Sequence, residues 1–135
     1  FSKKIYLDFF CQICNHLDSM QEIERCRVEE LALLLSETAA LFKRGDNSEW
    51  ANVFNHFHDE AENINSKVEF NVDSLQRLVR NIKNCLSGSH YFNDIFLWHE
   101  DSEERARTNK DFHLVKARLL NVLNELEKLT TQRIH

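Results

Sequence analysis

The sequence Ser87-Gly-Ser-His-Tyr-Phe-Asn-Asp-Ile-Phe-Leu-Trp98 lies between two segments whose apolar residues repeat with the period of a helix. It contains one of the two glycines of the 135-residue chain, and its last eight residues include four aromatic and two aliphatic side chains. Such a composition is typical of a segment that other elements bury. We therefore predict a short, largely buried helix here, capped by Ser89, around which the longer helices close. A strand is the alternative, but the chain offers no second strand to pair with it.

The longer helices are predicted from apolar periodicity over residues 3–18, 19–44, 46–64, 73–88 and from 101 onward. The chain has no proline, which suits helices because proline breaks helix interiors. Together these segments predict one all-α domain over residues 1–135, an antiparallel bundle of five to seven helices. The last helix has a seam that indicates bundle packing and leaves open a homodimer through it: Phe112, Val115, Leu119, Val122, Leu126 and Leu129.

Helix ends and buried faces are also predicted from local patterns. Gly45 is expected to take the left-handed conformation that ends the second helix. Capping boxes are expected at Ser19 with Glu22, Asp46 with Glu49, Asp73 with Gln76, and Asp101 with Glu104. In the third helix the expected buried face is Trp50, Val53, Phe54, Phe57, Ala61 and Ile64. The expected buried stripe of the second helix, residues 19–44, is Val28, Leu31, Ala32, Leu35, Ala39 and Phe42. That of the fourth helix, residues 73–88, is Leu75, Leu78, Val79, Ile82, Cys85 and Leu86.

Composition narrows the setting of the protein. No apolar run approaches the roughly 18 residues that a membrane span needs, and the chain start lacks the pattern of a signal peptide. We expect no membrane partner and a cytoplasmic location. The cysteines, Cys11, Cys14, Cys26 and Cys85, are expected to be reduced and packed as small hydrophobic residues.

Negative charge is concentrated in one segment. The whole chain carries a net charge of −5, whereas residues 45–73 hold seven acidic residues against Lys67 alone, a net charge of −6. This distribution argues against general nucleic-acid binding and favours a cationic partner for that segment.

A cluster of histidines and carboxylates lies within that acidic segment: His56, His58, Asp59, Glu60 and Glu62. At helical spacing His56 pairs with Glu60 and His58 with Glu62, on either side of Phe57. Neither helical metal motif, H-E-x-x-H or E-x-x-H, occurs here. We interpret the cluster as a solvated helix face and predict neither a metal nor a cofactor.

Arg107 and His113 form an Arg-x5-His pattern that resembles the motif of small all-helical ribonucleases of the HEPN type. The resemblance implies an alternative function in which the arginine stabilises a phosphorane and the histidine moves a proton. The position after the arginine, where the motif commonly has a polar residue, is Thr108 in this chain, and this makes the match to the motif weaker. Nucleophile elbows, phosphate-binding glycine loops and dinucleotide fingerprints are absent from the sequence.

Three pieces between about residues 48 and 125 carry a second resemblance: Ser48-Glu-Trp-Ala51, Gly88-Ser with the following Phe92-Asn-Asp-Ile95, and Asn109 in the last helix. They resemble a small, all-helical, uncharacterised bacterial family with a glycine-rich motif followed by Ser-Phe-x-Asp. This chain keeps a single glycine there and inserts His90 and Tyr91. Proteins of this kind are similar to immunity proteins of contact-dependent growth inhibition and other polymorphic toxin systems.

The resemblance implies a non-catalytic immunity protein whose partner is a cognate toxin domain. Many such toxins are nucleases with basic clefts, which an acidic surface can cover. The residues expected to contact the partner are His56, Asp59, Glu60 and Glu62, extended by Glu100, Asp101, Glu103 and Glu104. A regulatory interaction domain without catalytic activity is the remaining alternative.

Overall fold

The computed structural model describes residues 20–88 and 95–134, which form four helices joined by short irregular segments. We number them α1 (Met20–Arg44), α2 (Ser48–Ser66), α3 (Val72–Gly88) and α4 (Ser102–Ile134). The described residues contain no strand, and the all-α prediction is confirmed. The predicted count of five to seven helices is not matched, since four are seen. The helix predicted over residues 3–18, and Ser19 with its capping box, lie outside the described residues.

The short helix predicted between α3 and α4 is wrong for the part that the structure describes. Residues 95–99 are neither helix nor strand. The backbone N–H and C=O of Leu97 both bond to the side chain of Asn109, at 2.8 Å each, instead of to a neighbouring helical turn. The segment is not largely buried either, because Phe96 and Trp98 are exposed. Residues 89–94 lie outside the described range.

The helices form an antiparallel square in which each contacts two neighbours. α1 packs on α2 and α4, and α3 packs on α2 and α4. The diagonal pairs, α1 with α3 and α2 with α4, have no Cα atoms within 8 Å of each other among the described residues. Contacts at both ends show that α1 and α4 run antiparallel. Phe42, late in α1, meets Phe112, early in α4, with ring centroids 5.2 Å apart. Arg27, early in α1, pairs with Glu125, late in α4, at 3.0 Å.

One core contains side chains from all four helices and from Leu97. The predicted stripe of α1 is buried throughout, and Leu34, Leu41 and Thr38 are buried too, because α1 packs against two helices. In α4 the predicted seam is buried except for Leu129, which is half-buried. The seam therefore lies inside the bundle, where it is not available to a second copy of the chain.

The buried face of α2 differs from the prediction at three positions. Val53 is 37% exposed, and Ala51, which the sequence pattern did not select, is 4% exposed. Trp50 is half-buried, stacked on Phe42 at 6.0 Å between ring centroids. The small Ala51 therefore belongs to the buried face of α2, which packs on α1.

The turn between α1 and α2 places the left-handed residue one position later than predicted. Asp46 has φ 58°, and no described glycine has positive φ. The N–H of Asn47 bonds to Phe42 O at 2.8 Å and that of Asp46 to Lys43 O at 3.2 Å, which is the Schellman arrangement. Gly45 is needed for another reason. A Cβ built on it would lie 2.6 Å from Leu97 Cβ.

Asparagines, not the predicted aspartates, cap α2 and α3. Asn47 Oδ1 accepts from Trp50 N at 3.2 Å, and Asn71 Oδ1 accepts from Ser74 N at 3.1 Å. The capping role predicted for Asp101 is confirmed, since its Oδ1 accepts from the N–H of Glu103 at 2.9 Å. All three satisfy amides that the first helical turn leaves unbonded.

Candidate functional site

The acidic face of α2 carries the first group of residues expected to contact a partner. His56 Nε2 lies 3.0 Å from Glu60 Oε1, and both side chains are open to solvent. Of the four expected contact residues on α2, which also include Glu62, Asp59 is the most exposed, with 79% of its side-chain surface accessible. These residues lie opposite the buried face of Phe54, Phe57 and Ala61, since the helix is amphipathic.

His58 forms a second, separate acid pair on the same helix. Its Nδ1 lies 3.2 Å from Asp59 Oδ1, and its Nε2 lies 3.8 Å from Glu62 Oε1. The helical spacing therefore produces the two pairs that the sequence predicts. Among the side chains that the structure describes, no three of His, Cys, Asp or Glu are placed to hold one metal ion.

The second acidic group surrounds the start of α4. Asp101 uses one carboxylate oxygen to cap the helix, and Glu104 Oε2 accepts from Arg107 Nη1 at 2.7 Å. Glu100 and Glu103 are exposed and make no ion pair with the described residues. Because a helix N-terminus is the positive end of the macrodipole, carboxylates here are also favourable for the helix itself.

The structure keeps the two acidic groups apart. α4 begins at the end of the bundle where α2 also begins, as the hydrogen bond from Trp98 N to Gly45 O shows. Asp59 lies eleven residues into α2, or about 17 Å along its axis. The helices α2 and α4 are also diagonal to each other in the bundle. The chain therefore presents two acidic patches, and the patch on α2 is not extended by the one on α4.

Arg107 and His113, the pair of the ribonuclease alternative, lie on one helix but on different sides of it. Their positions are six steps apart along the helix, which places them about 120° apart around the axis and about 9 Å apart along it. Arg107 is ion-paired with Glu104, and His113 is exposed beside the ring of Phe112. The pair is not brought together within one chain.

Residues 95–99 supply a surface feature that the sequence pattern did not indicate. Leu97 is 1% exposed, whereas its neighbours Phe96 and Trp98 are 64% and 54% exposed. The guanidinium of Arg105 lies 3.8 Å from the centroid of the Trp98 ring. The aromatic composition predicts core burial, which is wrong for Phe96 and Trp98. An exposed aromatic residue and a buried one look the same in sequence unless the contacts of the intervening residue are known.

Comparison of the chain with protein-family models, curated proteins and solved structures finds no match. The family resemblance thus rests on the motif residues alone. None of the described helices combines the length and apolar character that crossing a bilayer requires.

Proposed function

We propose that this chain is an immunity protein, without catalytic activity of its own, that binds and neutralises a cognate bacterial toxin domain. The proposed partner is a basic nuclease domain whose active site is covered by an acidic surface. No direct contact with nucleic acid or membrane is proposed. The cytoplasm, where a nuclease toxin would act, is the proposed location.

The observation that supports this function is the acidic face of α2. Four of its side chains, His56, Asp59, Glu60 and Glu62, project from one rigid helix, and within the described part of the chain the three carboxylates form ion pairs only with histidines. No lysine or arginine of the described residues forms an ion pair with the three carboxylates, although Arg77 lines the same cleft as Glu60. An acidic face on a rigid element raises the association rate with a basic partner and sets its orientation.

The experiment uses the toxin domain that the proposal expects to be encoded beside this chain. Its affinity is measured by titration calorimetry at low and at high salt, together with its nuclease activity. We expect tight binding that weakens as salt rises and nuclease activity that is lost in the complex. The double reversal Asp59→Lys with Glu62→Lys should weaken binding by about tenfold or more while the helical circular dichroism stays unchanged.

A matched control distinguishes the effect of charges on the α2 face from the effect of the net charge of the protein. Glu29→Lys with Glu37→Lys changes the net charge by the same amount, but both positions lie on α1. This control should bind within about twofold of the wild type. Equal effects of the two double variants would remove the α2 face from the proposed interface, and absence of any binding would remove the proposed function.

The ribonuclease alternative makes a different prediction. It requires RNA cleavage by the purified protein that is lost in His113→Ala. The separation of Arg107 from His113 and its pairing with Glu104 favour the immunity proposal over this one. A regulatory interaction domain would be distinguished by a partner that is not a toxin.

A further inference from the structure

Two large apolar side chains are exposed side by side on a segment that is otherwise fixed. Phe96 and Trp98 are 64% and 54% exposed, and the residue between them is buried at 1%. Such alternation of burial is typical of extended backbone, in which successive side chains point to opposite sides. Because Leu97 points into the core, its two neighbours are directed to solvent.

The position of Trp98 is fixed before any partner binds. Its N–H donates to Gly45 O at 3.4 Å, and Asn109 holds the backbone of the preceding residue. Arg105 stacks on the indole ring at 3.8 Å, and its Nε donates to His99 O at 3.0 Å. A side chain held in this way loses little conformational entropy on association. Tryptophan and arginine are also the residues most enriched among those that dominate binding energy.

The charges beside the aromatic pair indicate which partner fits. Glu100, Asp101 and Glu103 follow it directly and make no ion pair with the described residues. The two nearby arginines contact other groups: Arg105 stacks on Trp98, and Arg107 pairs with Glu104. A second copy of the chain fits poorly, because a two-fold contact through this surface would bring two identical acidic patches together. A basic protein surface with an apolar recess is complementary to both features.

We infer that Phe96 and Trp98 anchor the contact with a basic protein partner, and that Glu100, Asp101 and Glu103 form the polar rim of that contact. The inference rests on the proposed function for the identity of the partner, which would be the toxin domain. It moves the centre of the interface from the face of α2 to the segment before α4. The α2 face then contributes mainly to the rate of association.

The test measures Kd for the complex of the proposed toxin domain with two single-substitution variants of this chain. We expect Trp98→Ala to raise Kd by about 30-fold or more, and Phe96→Ala by about tenfold. The matched control is Leu114→Ala, which removes an apolar side chain of 56% exposure from α4. It should leave Kd within about twofold. Phe96→Ala keeps the test valid if Trp98→Ala perturbs the fold through Arg105, which a thermal unfolding curve reveals.

A second arm does not depend on the toxin. A photo-crosslinking phenylalanine derivative is placed at position 96 in cells of the native host, and the captured protein is identified by mass spectrometry and purified. Capture supports the inference only if that protein is basic and its affinity falls with Trp98→Ala. Capture of a second copy of this chain, or capture of no protein, would overturn it.

The two arms separate this inference from the proposed function. Toxin binding that is unchanged by Trp98→Ala and Phe96→Ala overturns the aromatic anchor and leaves the immunity function in place. Absence of toxin binding, together with Trp98-dependent binding of another basic protein, supports the anchor and overturns the immunity function.

Discussion

The side-chain amide of Asn109 bonds to both backbone polar groups of Leu97, twelve residues earlier in the chain. Its Oδ1 accepts from Leu97 N and its Nδ2 donates to Leu97 O, each at 2.8 Å, in the manner of a neighbouring strand. Nδ2 also donates to Arg105 O at 2.8 Å. One side chain therefore fixes residues 95–99 against α4 and directs Leu97 into the core.

Replacing Asn109 should release this segment. Asn109→Ala removes three hydrogen bonds and leaves partly buried backbone groups without partners, so we expect a loss of about 2–3 kcal/mol in the free energy of unfolding. Urea unfolding measures this loss. The exposed Asn121→Ala on the same helix is the control and should change stability by about 0.5 kcal/mol or less. Equal effects at the two positions would contradict the bonding role of Asn109.

Gly45 is predicted to resist any side chain because Leu97 lies against it. An added Cβ would be 2.6 Å from Leu97 Cβ and 2.8 Å from its Cδ2. Gly45 does not have positive φ, so alanine fits its backbone, and the reduced freedom of the unfolded chain alone would stabilise the protein. We instead expect Gly45→Ala to destabilise it by about 1–3 kcal/mol through overpacking.

Double-mutant analysis attributes that cost to Leu97. Leu97→Ala removes Cγ and Cδ2 but keeps Cβ, so it should relieve part of the clash. The combined loss of the two substitutions should then be smaller than the sum of the separate losses. Strict additivity in urea unfolding would show that the strain at Gly45 arises elsewhere.

Arg25 is predicted to stabilise the C-terminal end of α2. Its guanidinium donates to the carbonyl oxygens of Asn65, Lys67 and Val68 at 2.7 to 2.9 Å and lies 5.0 Å from the Phe70 ring centroid. α2 has no basic residue in its own last turn, so α1 supplies this cation. We expect Arg25→Ala to cost about 1–2 kcal/mol, since part of the contact is exposed to solvent.

Lysine cannot reproduce the contact of Arg25 because its ammonium lacks the planar fork of donors. Arg25→Lys should therefore recover less than half of the stability lost in Arg25→Ala. Hydrogen exchange should also quicken at the amides of residues 65–70 in both variants. The control is Arg80→Ala, an exposed arginine of α3 that makes no ion pair with the described residues. Full recovery by lysine would show that only the positive charge matters.

The helices and most of their buried faces can be predicted from the sequence, because apolar residues that repeat with the period of a helix indicate both the helix and its buried side. In α3 the predicted residues Leu75, Leu78, Val79, Ile82 and Leu86 are all buried, and only Cys85 is half-buried. A stripe of this kind has only one side that can be removed from water. The aspartate that caps α4 is equally local, since it lies two residues from the amide that it binds.

The errors occur where a distant residue decides the local structure. Residues 95–99 are irregular because Asn109 replaces the hydrogen bonds of a helical turn. Position 45 is occupied by glycine because Leu97 leaves no room there for a Cβ. The left-handed conformation that ends α1 is adopted by Asp46 instead. Neither contact is visible in the neighbouring sequence. The same difficulty hid the exposure of Trp98, since aromatic residues are usual in cores.

The thiol of Cys85 offers a pH-dependent prediction. Burial raises the pKa of Cys85 because the thiolate is poorly solvated there. In a variant that keeps Cys85 as its only cysteine, the rate of reaction with a disulfide reagent should rise with pH through a midpoint. We expect that midpoint at higher pH in the native protein than in urea. Limited access lowers the rate at every pH without moving the midpoint, so a native midpoint at or below the urea value would contradict the prediction.

The sign of the linked stability effect follows from the same shift of the Cys85 pKa. At low pH both the folded and the unfolded chain keep the proton, and Cys85 contributes no pH dependence. As pH rises past the unfolded pKa, the unfolded thiol ionises first, so the unfolded state is favoured. The free energy of unfolding should therefore fall in alkaline solution, and Cys85→Ala should remove that part of the decrease.

Asp46 gives a prediction of opposite sign to that for its neighbour Gly45. Its φ of 58° is unfavourable for a residue with a Cβ, although aspartate tolerates it better than most. Asp46→Gly should therefore raise the free energy of unfolding by about 0.5–1 kcal/mol. Asp46→Asn keeps the side-chain shape without the charge and should change stability little, whereas Asp46→Ala should not stabilise. If Asp46→Asn stabilised the protein as much as Asp46→Gly, the cost at this position would be due to the charge of the carboxylate. Stabilisation by glycine alone would show that the cost at position 46 comes from its left-handed backbone conformation.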